Sequence, residues 1–547
     1  MKTKILFMIS LLSLSASIVT AQTYPVPVSE ENEKMAEGVF APNWESLKQY
    51  QVPEWFRNAK FGIWAHWGPQ CVEGSGDWMA RSLYQEGSHQ YKYHVQHYGH
   101  PSEVGFKDII PLWKAEKWDP DKLIALYKKV GAQYFFALGN HHDNMDLWNS
   151  QYQPWNSVNM GPEQDILAGW EKAARKHGLP FGISFHADHA WSWYEPSQRH
   201  DKEGPKAGVP YDGKLTKADG KGKWWEGYDP QELYAQNHPL SQDSWDNGAI
   251  HRQWAWGNGV CQPTQEYCTN FYNRTLDAIN RYNPDLIYFD VTGVPFYPIS
   301  DGGLKIAAHF YNHNMATHKG KLEAVMFGKI LDEDQRKALV WDVERGAPDK
   351  ALEQPWQSCS CLGDWHYNTS VYENNRYKSA ASVVKLLVDI VSKNGNLLLS
   401  VPLRADGTLD DKEEMILNDL GEWMSVNKEC IIDTRPWKVF GEGPIAESAI
   451  PLNAQGFNEG AYNKATAKEI RFTQNGQKLY ATVLAWPEER QVLIKSLADG
   501  NSLYPSKIKK VELLGYGKVS FTRTLNGLLV NLPDKQVNKI APVFKIN

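Results

Sequence analysis

A carboxylate ends an apolar run in Leu286-Ile-Tyr-Phe-Asp290, and Gly293 follows three residues on, where the chain can turn away. Short apolar runs of this kind read as buried strands, and a charged residue at the end of one projects past the packed core. Four other runs end in the same way. Phe61–Trp67 carries His66. Tyr134–Gly139 leads into His141-His142-Asp143, Phe181–His186 closes on Phe185 and His186, and Ala338–Val343 is followed by Glu344. Imidazoles and carboxyls are the side chains that move protons or attack carbon near neutral pH. Two carboxyls across one cavity suit glycoside hydrolysis: one attacks the anomeric carbon or activates water, and the other protonates the leaving oxygen. Asp290 suits the first role. For the second, Glu344 sits directly at a strand exit, and Glu353 lies nine residues on in Leu-Glu-Gln-Pro-Trp, with Asp342 and Asp349 as further acids nearby. Arg345 turned toward Glu344 would oppose proton donation, and turned away would allow it.

The same histidines have a second reading, as metal ligands. His186-Ala-Asp-His189 with His66, His141 and His142 could hold zinc in a barrel hydrolase. Against it, neighbours such as His141 and His142 would point to opposite faces of a strand.

These residues need a frame that brings strand ends together. Ala324–Phe327 and Leu397–Val401 add two more strand-like runs. Between the runs lie helical patterns: Leu123, Leu126, Tyr127 and Val130 fall at i, i+3, i+4 and i+7, as do Val384, Leu387, Val388 and Val391. Cys268, Phe271, Tyr272, Leu276 and Ile279 continue the theme. Asp119-Pro120 reads as a helix start and Gly395 as a helix stop. Strand–helix alternation from about Trp55 to Trp437 predicts a parallel α/β domain, and a (β/α)8-like barrel fits its length best. A doubly wound sheet is the alternative, but no Gly-rich phosphate loop follows the first strand. Residues 195–263 interrupt the rhythm with Gly, Lys, Asp and Pro, and with Trp224, Trp225, Trp245, Trp254 and Trp256. We read them as a lid or a wall of the cavity. After 437 short alternating runs separated by turn residues predict a small antiparallel β-sandwich. The expected domains are therefore 22–437, with the insertion, and 438–547.

Residues 1–21 read as a secretory signal: Lys2 and Lys4, the apolar Ile5–Val19, and Val19-Thr20-Ala21 before a cleavage point. The expected location is periplasmic or secreted, with no membrane insertion, since no later stretch is long and apolar enough to span a bilayer. A formal net charge of -6 gives no case for a nucleic-acid partner. The 23 Trp and 26 Tyr fill a large core or pack on the apolar faces of sugars. Six cysteines (71, 261, 268, 359, 361, 430) match no zinc ribbon, and their pairing is open.

Several motifs in order resemble those of the family 29 α-L-fucosidases. They are Lys60-Phe-Gly-Ile-Trp-Ala-His-Trp-Gly68, the His141-His142-Asp143 segment with Leu147-Trp148-Asn-Ser150, Leu286-Ile-Tyr-Phe-Asp290, and Val391-Ser-Lys-Asn-Gly-Asn-Leu-Leu-Leu399 followed by Gly421-Glu-Trp423 and Asn427. The resemblance implies a (β/α)8-like barrel with a C-terminal β-sandwich, and retaining release of terminal α-L-fucose from a fucosylated oligosaccharide or glycoconjugate. It implies no metal and no cofactor. Asp290 would be the nucleophile, with His66, Trp78, His141 and His142 holding the sugar. Phe185 and His186 stand where the family commonly has Tyr-Ser and are expected to contact the sugar with them, and Asn144 stands where the family often has Gly. A related sugar (L-galactose or a sulfated fucose) and an inactive fucose-binding relative remain open alternatives.

Overall fold

The computed structural model describes residues 23–242, 244, 254, 256–257, 259–452 and 456–547. The signal-like segment 1–21 and Trp245 lie outside the described residues. Eight parallel strands close on themselves: β1 (Phe61–Ala65), β2 (Tyr134–Asn140), β3 (Phe181–Phe185), β4 (Leu286–Thr292), β5 (Val325–Lys329), β6 (Val340–Glu344), β7 (Trp356–Cys361) and β8 (Gly395–Ser400). Closure is the pairing of β1 with β8, Phe61 opposite Leu397 through Trp64 opposite Ser400. A doubly wound sheet would leave two free edges, so this pairing decides between the two architectures.

Seven of the eight strands coincide with apolar runs in the sequence. The other is β7, Trp-Gln-Ser-Cys-Ser-Cys, whose polar side chains find partners far along the chain. Ser358 Oγ donates to the Gly346 carbonyl at 2.7 Å and Ser360 Oγ to Glu459 at 2.6 Å. Gln357 Nε2 donates to Asp342 at 2.9 Å inside the barrel. All six residues of β7 are buried, yet nothing local in the sequence marks them as such.

The principal helices are α1 (Pro120–Val130), α2 (Ile166–Lys176), α3 (Gln265–Tyr282), α4 (Gly302–Thr317), α5 (Ala380–Ser392) and α6 (Asp411–Asn427). Asp119 caps α1 by accepting from the Lys122 N–H at 3.0 Å, with Pro120 in the first turn. Helix α5 ends differently from expectation. The left-handed residue after it is Asn394 (φ 72°), whereas Gly395 is the first residue of β8. Gly395 is small for packing reasons: a Cβ there would lie 2.6 Å from the Trp356 ring. The barrel is also less regular than eight equal repeats. Only the short helix Gln335–Ala338 joins β5 to β6, and residues 345–355 join β6 to β7 without a helix.

The barrel interior interlocks small and large residues. A Cβ on Gly62 would lie 2.3 Å from the Tyr134 ring, and one on Gly182 2.5 Å from Phe136. Tyr134 donates to Gln357 at 3.0 Å, while Tyr288 and Cys359 donate to Asp342 at 3.2 and 3.0 Å. This buried polar layer forms the floor beneath the strand exits.

Beyond the barrel, β9 (Arg435–Glu442) runs across the 437/438 boundary expected from composition. It opens a six-stranded antiparallel sheet with β10 (Ile470–Asn475), β11 (Lys478–Val483), β13 (Val511–Leu513), β14 (Gly517–Lys518) and β17 (Val543–Ile546). Strands β12 (Gln491–Ile494), β15 (Phe521–Thr524) and β16 (Gly527–Asn531) form a second sheet. Trp437, Phe472, Val492, Leu528, Val530 and Phe544 share one apolar core between them. Arg471 of β10 ties this unit to the barrel. Fully buried, it bonds Asp389 of α5 at 2.5 Å and Glu469 at 3.1 Å.

The described part of 195–263 is a folded cover of 3-10 turns and a short helix, Pro230–Tyr234. Trp225 is buried beneath Lys107 and Lys223, and Trp256 stacks on His189 with ring centroids 5.4 Å apart. These two anchor the cover, while Trp254 reaches the cavity described below. The six cysteines are all free. Among the described residues no helix is long and apolar enough to cross a membrane.

Candidate active site

The strand exits converge on a cavity of about 550 Å³ at the C-terminal end of the barrel, where parallel strands of this arrangement leave side chains unpacked. Strand alternation decides which side chains enter it. In β4, Tyr288 and Asp290 point inward while Phe289 points outward; in β6, Asp342 and Glu344 share the inward face; in β5, Phe327 and Lys329 do. The pairing of β4 with β5 shifts register between Tyr288 and Thr292, which loosens the ladder beside Asp290 and lets its carboxyl turn into the cavity.

Lys329 is the hub. Its Nζ bonds Asp290 Oδ1 at 2.5 Å and Glu344 Oε2 at 2.7 Å, and all three side chains are largely buried. Burial alone would push the Asp290 carboxyl up. The Lys329 ammonium, with His142 and His186, outweighs it and holds Asp290 well below its usual range. Burial likewise opposes the ammonium, and the two carboxylates more than compensate, so Lys329 stays charged. Asp342 one layer down is pushed up to about 6 by burial, against the pull of Lys329. The motif reading did not include Lys329. The run Val-Met-Phe-Gly-Lys holds the signal, a lysine in phase with the inward-facing Phe327.

On the other side stand the histidines. His66 Nδ1 meets Ser400 Oγ at 2.9 Å. Gln70 Nε2 donates to His141 Nδ1 at 2.9 Å and to Asp143 at 3.1 Å, so the Asp143 carboxylate fixes the amide and the His141 hydrogen sits on Nε2. Burial holds His66, His141 and His186 well below the usual imidazole range, and their mutual proximity adds to this. They are neutral rings, each with one donor and one acceptor. Among the described residues, both ring nitrogens of buried His186 lack a hydrogen-bond partner. Trp78, in a left-handed conformation (φ 61°), lines the same wall and meets His142 edge-on at 6.1 Å.

Most of the residues expected from sequence meet here, with three differences. His142 is fully buried and does not line the cavity; its Nδ1 donates to the His186 carbonyl at 2.8 Å and its Nε2 lies 3.3 Å from Asp290 Oδ2. It therefore positions the carboxylate from behind. Phe185 is outside the site, because alternation turns it outward between Trp148 and Phe289, 6.2 and 5.7 Å from their ring centroids. Glu353 is at the opposite end of the barrel. It precedes the first residue of β7, and its carbonyl accepts from Asn394 just before β8. Arg345 turns away from the cavity to pair with Glu459 at 2.8 Å.

Asp77, His366, Trp254 and Trp365 also belong to the site, from loops whose sequence carries no period. His366 Nδ1 bonds Asp77 at 2.6 Å, and Trp365, Trp254 and Asp77 line the cavity. Asn144 sits at φ 67°, the conformation glycine adopts freely, and is clasped by Arg274 at 2.6 Å.

His141 and His142 follow the end of β2 rather than alternating along it, so they do not point to opposite faces. With His186, their ligand atoms come within 4.8 Å of one another. The donor set still does not match a ready metal site. His141 Nδ1 is occupied by Gln70 and its Nε2 carries the hydrogen, leaving it no free lone pair.

A closed parallel barrel with two carboxyls bridged by an ammonium at adjacent strand exits defines a barrel enzyme built for hydrolytic chemistry. The sequence profile described as Alpha-L-fucosidase matches residues 28–429, and that of the Alpha-L-fucosidase C-terminal domain matches 462–547. The chain belongs to the α-L-fucosidase family, glycoside hydrolase family 29, whose members release fucose by hydrolysis. Human plasma alpha-L-fucosidase is 24% identical over 520 residues, covering 92% of this chain and 90% of that one. The fold is similar to Thermotoga maritima alpha-fucosidase in complex with a mechanism-based inhibitor, at TM-score 0.66 and 24% identity, covering 93% of this chain and 99% of that one. It is similar too to a trapped covalent intermediate of a Bacteroides thetaiotaomicron α-L-fucosidase with 2-fluoro-fucosyl fluoride, at TM-score 0.57 and 15% identity, covering 96% and 99%.

Proposed function

We propose that this protein is a retaining exo-α-L-fucosidase in which Asp290 is the nucleophile and Glu344 the acid and base. The observation that carries this reading is the pair of hydrogen bonds that Lys329 Nζ donates, 2.5 Å to Asp290 and 2.7 Å to Glu344. The two carboxylate oxygens are then no further apart than those two contacts laid end to end. That favours the spacing of about 5–5.5 Å used by retaining enzymes over the roughly 6.5–9.5 Å that inverting ones need to admit a water. Glu353, at the far end of the barrel, is not a candidate for the acid in this reading.

In the first step an Asp290 oxygen attacks the anomeric carbon while Glu344 gives its proton to the glycosidic oxygen, and the C–O bond to the leaving group breaks. In the second, Glu344 takes a proton from water as the water attacks the same carbon, and the ester bond to Asp290 breaks. Two inversions return the α anomer. Lys329 keeps the charge balanced. With Glu344 protonated, the ammonium is matched by Asp290; once Asp290 is esterified, it is matched by the Glu344 carboxylate. Neutral His186 can donate to one hydroxyl and accept from another, His141 can donate from Nε2, His66 offers its Nε2, and Trp78 offers an apolar face to the sugar. The partnerless nitrogens of His186 support a polar ligand at that point.

Proton NMR of the first product tests the stereochemistry. Initial appearance of α-L-fucose is expected, and β-L-fucose first would end the double-displacement reading. A screen of fucosides against L-galactosides and sulfated fucosides decides the sugar. The leader-like residues 1–21 support work outside the cytoplasm, in the periplasm or beyond.

A further inference from the structure

The chain after β9 returns to the barrel and attaches itself to the residue proposed above as the acid. Gly456 forms a parallel bridge with Glu344, and the Phe457 N–H donates to the Glu344 carbonyl at 2.9 Å. The Glu459 N–H donates to the Arg345 carbonyl at 3.0 Å, while Asn458 both accepts from Ala347 and donates to it at 3.0 Å. The Glu459 carboxylate is then gripped by Arg345 at 2.8 Å, Ser360 at 2.6 Å and Lys378 at 3.0 Å. Only glycine permits the approach at 456, where a Cβ would lie 2.2 Å from the Glu344 carbonyl oxygen.

This anchored segment presents a large apolar side chain to water. Phe457 is 59% exposed at the cavity mouth, in a left-handed conformation with φ 60°. Ile330, next to Lys329, also lines the mouth, is 40% exposed and has φ 47°. Positive φ is costly for bulky residues and most of all for a β-branched one, and exposure gives no burial in return. Both lie on the Glu344 side of the cavity, each one bond or one residue from a group touching Glu344, whereas His66, His141 and Trp78 form the opposite wall.

We propose that Phe457 and Ile330 form the subsite for the leaving group, and that they receive the apolar C–H face of the pyranose to which the fucose is joined. The proposal rests on Glu344 being the acid, because the leaving oxygen must lie beside the residue that protonates it. Aromatic side chains recognise a pyranose through its C–H face, and a platform held by strained backbone keeps its orientation without a substrate present.

Three substrates test it: α-L-fucosyl fluoride, which carries no leaving sugar, 4-nitrophenyl α-L-fucoside, and a fucosyl-pyranose disaccharide. In Phe457→Ala, kcat/KM should fall about tenfold more for the disaccharide than for the fluoride, the scale of one lost ring contact. Phe457→Tyr should restore the ratio. Ile330→Gly should show the same bias while raising the melting temperature, since glycine relieves the left-handed strain. Equal losses on fluoride and disaccharide in Phe457→Ala would overturn the subsite. A wild-type enzyme that leaves the fluoride untouched would instead overturn the fucosidase reading beneath it.

Discussion

At the scale of residues, the two carboxyls have separable signatures. Asp290→Gly should lose turnover by several orders of magnitude while keeping its fold, and azide should restore product as the β-fucosyl azide. Glu344→Ala should slow disaccharide cleavage by about 10²–10⁴-fold and affect activated aryl fucosides far less, with azide giving the α-fucosyl azide. Product anomers read by NMR check both; an aryl loss as large as the disaccharide loss would remove Glu344 from the acid role. Lys329 has a pH signature. Burial pushes the Asp290 carboxyl up and the Lys329 charge overcomes it, so the carboxylate persists to low pH. Lys329→Met removes the opposing charge, raises the Asp290 pKa and should move the acid limb of the kcat/KM profile to higher pH. An unmoved limb would show that the limb belongs to another group. The sequence made Asp290 and Glu344 legible because each ends an apolar run. Lys329 lies two residues beyond the apolar run Ala324–Phe327, past the polar break at Gly328, so the run read from the sequence stops short of it. Phe185 was misread because resemblance aligned it with a sugar contact, while strand alternation turns it outward.

At the scale of elements, legibility followed apolarity. The first six strands and β8 announce themselves by apolar runs, and α1 by its cap and period. Strand β7 does not, since its burial depends on Gly346, Glu459 and Asp342, partners the local sequence cannot disclose. The loop residues Asp77, Trp365 and His366 were hidden for the same reason: loops have no period, and only the closed barrel brings them together. The start of β8 carries a prediction. Gly395→Ala would set a Cβ 2.6 Å from the indole of Trp356, itself held by its N–H to the Lys393 carbonyl at 2.8 Å. Neither side can yield easily, so a loss of about 1–3 kcal/mol is expected, the usual cost of overpacking a core. Thermal unfolding measures it; an unchanged melting temperature would mean that the strand start shifts freely.

At the scale of the whole molecule, the barrel and the C-terminal sheets meet through buried charge. Arg471 faces Asp389 and Glu469, and Lys393 pairs with Asp389 at 2.8 Å. Arg471→Met would strand carboxylates in the interior, and breaking a buried pair from one side typically costs about 3–5 kcal/mol. Denaturant unfolding should show that loss. Burial pushes Asp389 up, Lys393 and Arg471 outweigh it, and its folded pKa is lowered. Its contribution to stability is thus complete above the ordinary aspartate range and fades as pH falls through the lowered value. The penalty in Arg471→Met should accordingly shrink in strong acid. The junction also bears on how the protein is made. A ribosome delivers the chain from the N-terminus, and all eight barrel strands have emerged by Ser400. The rim of the cavity is stitched down only when Gly456–Glu459 arrives and bonds to Glu344–Ala347. A nascent chain can thus close its barrel while the mouth is unfinished, and the rim is completed only once about five-sixths of the 547 residues have been synthesised.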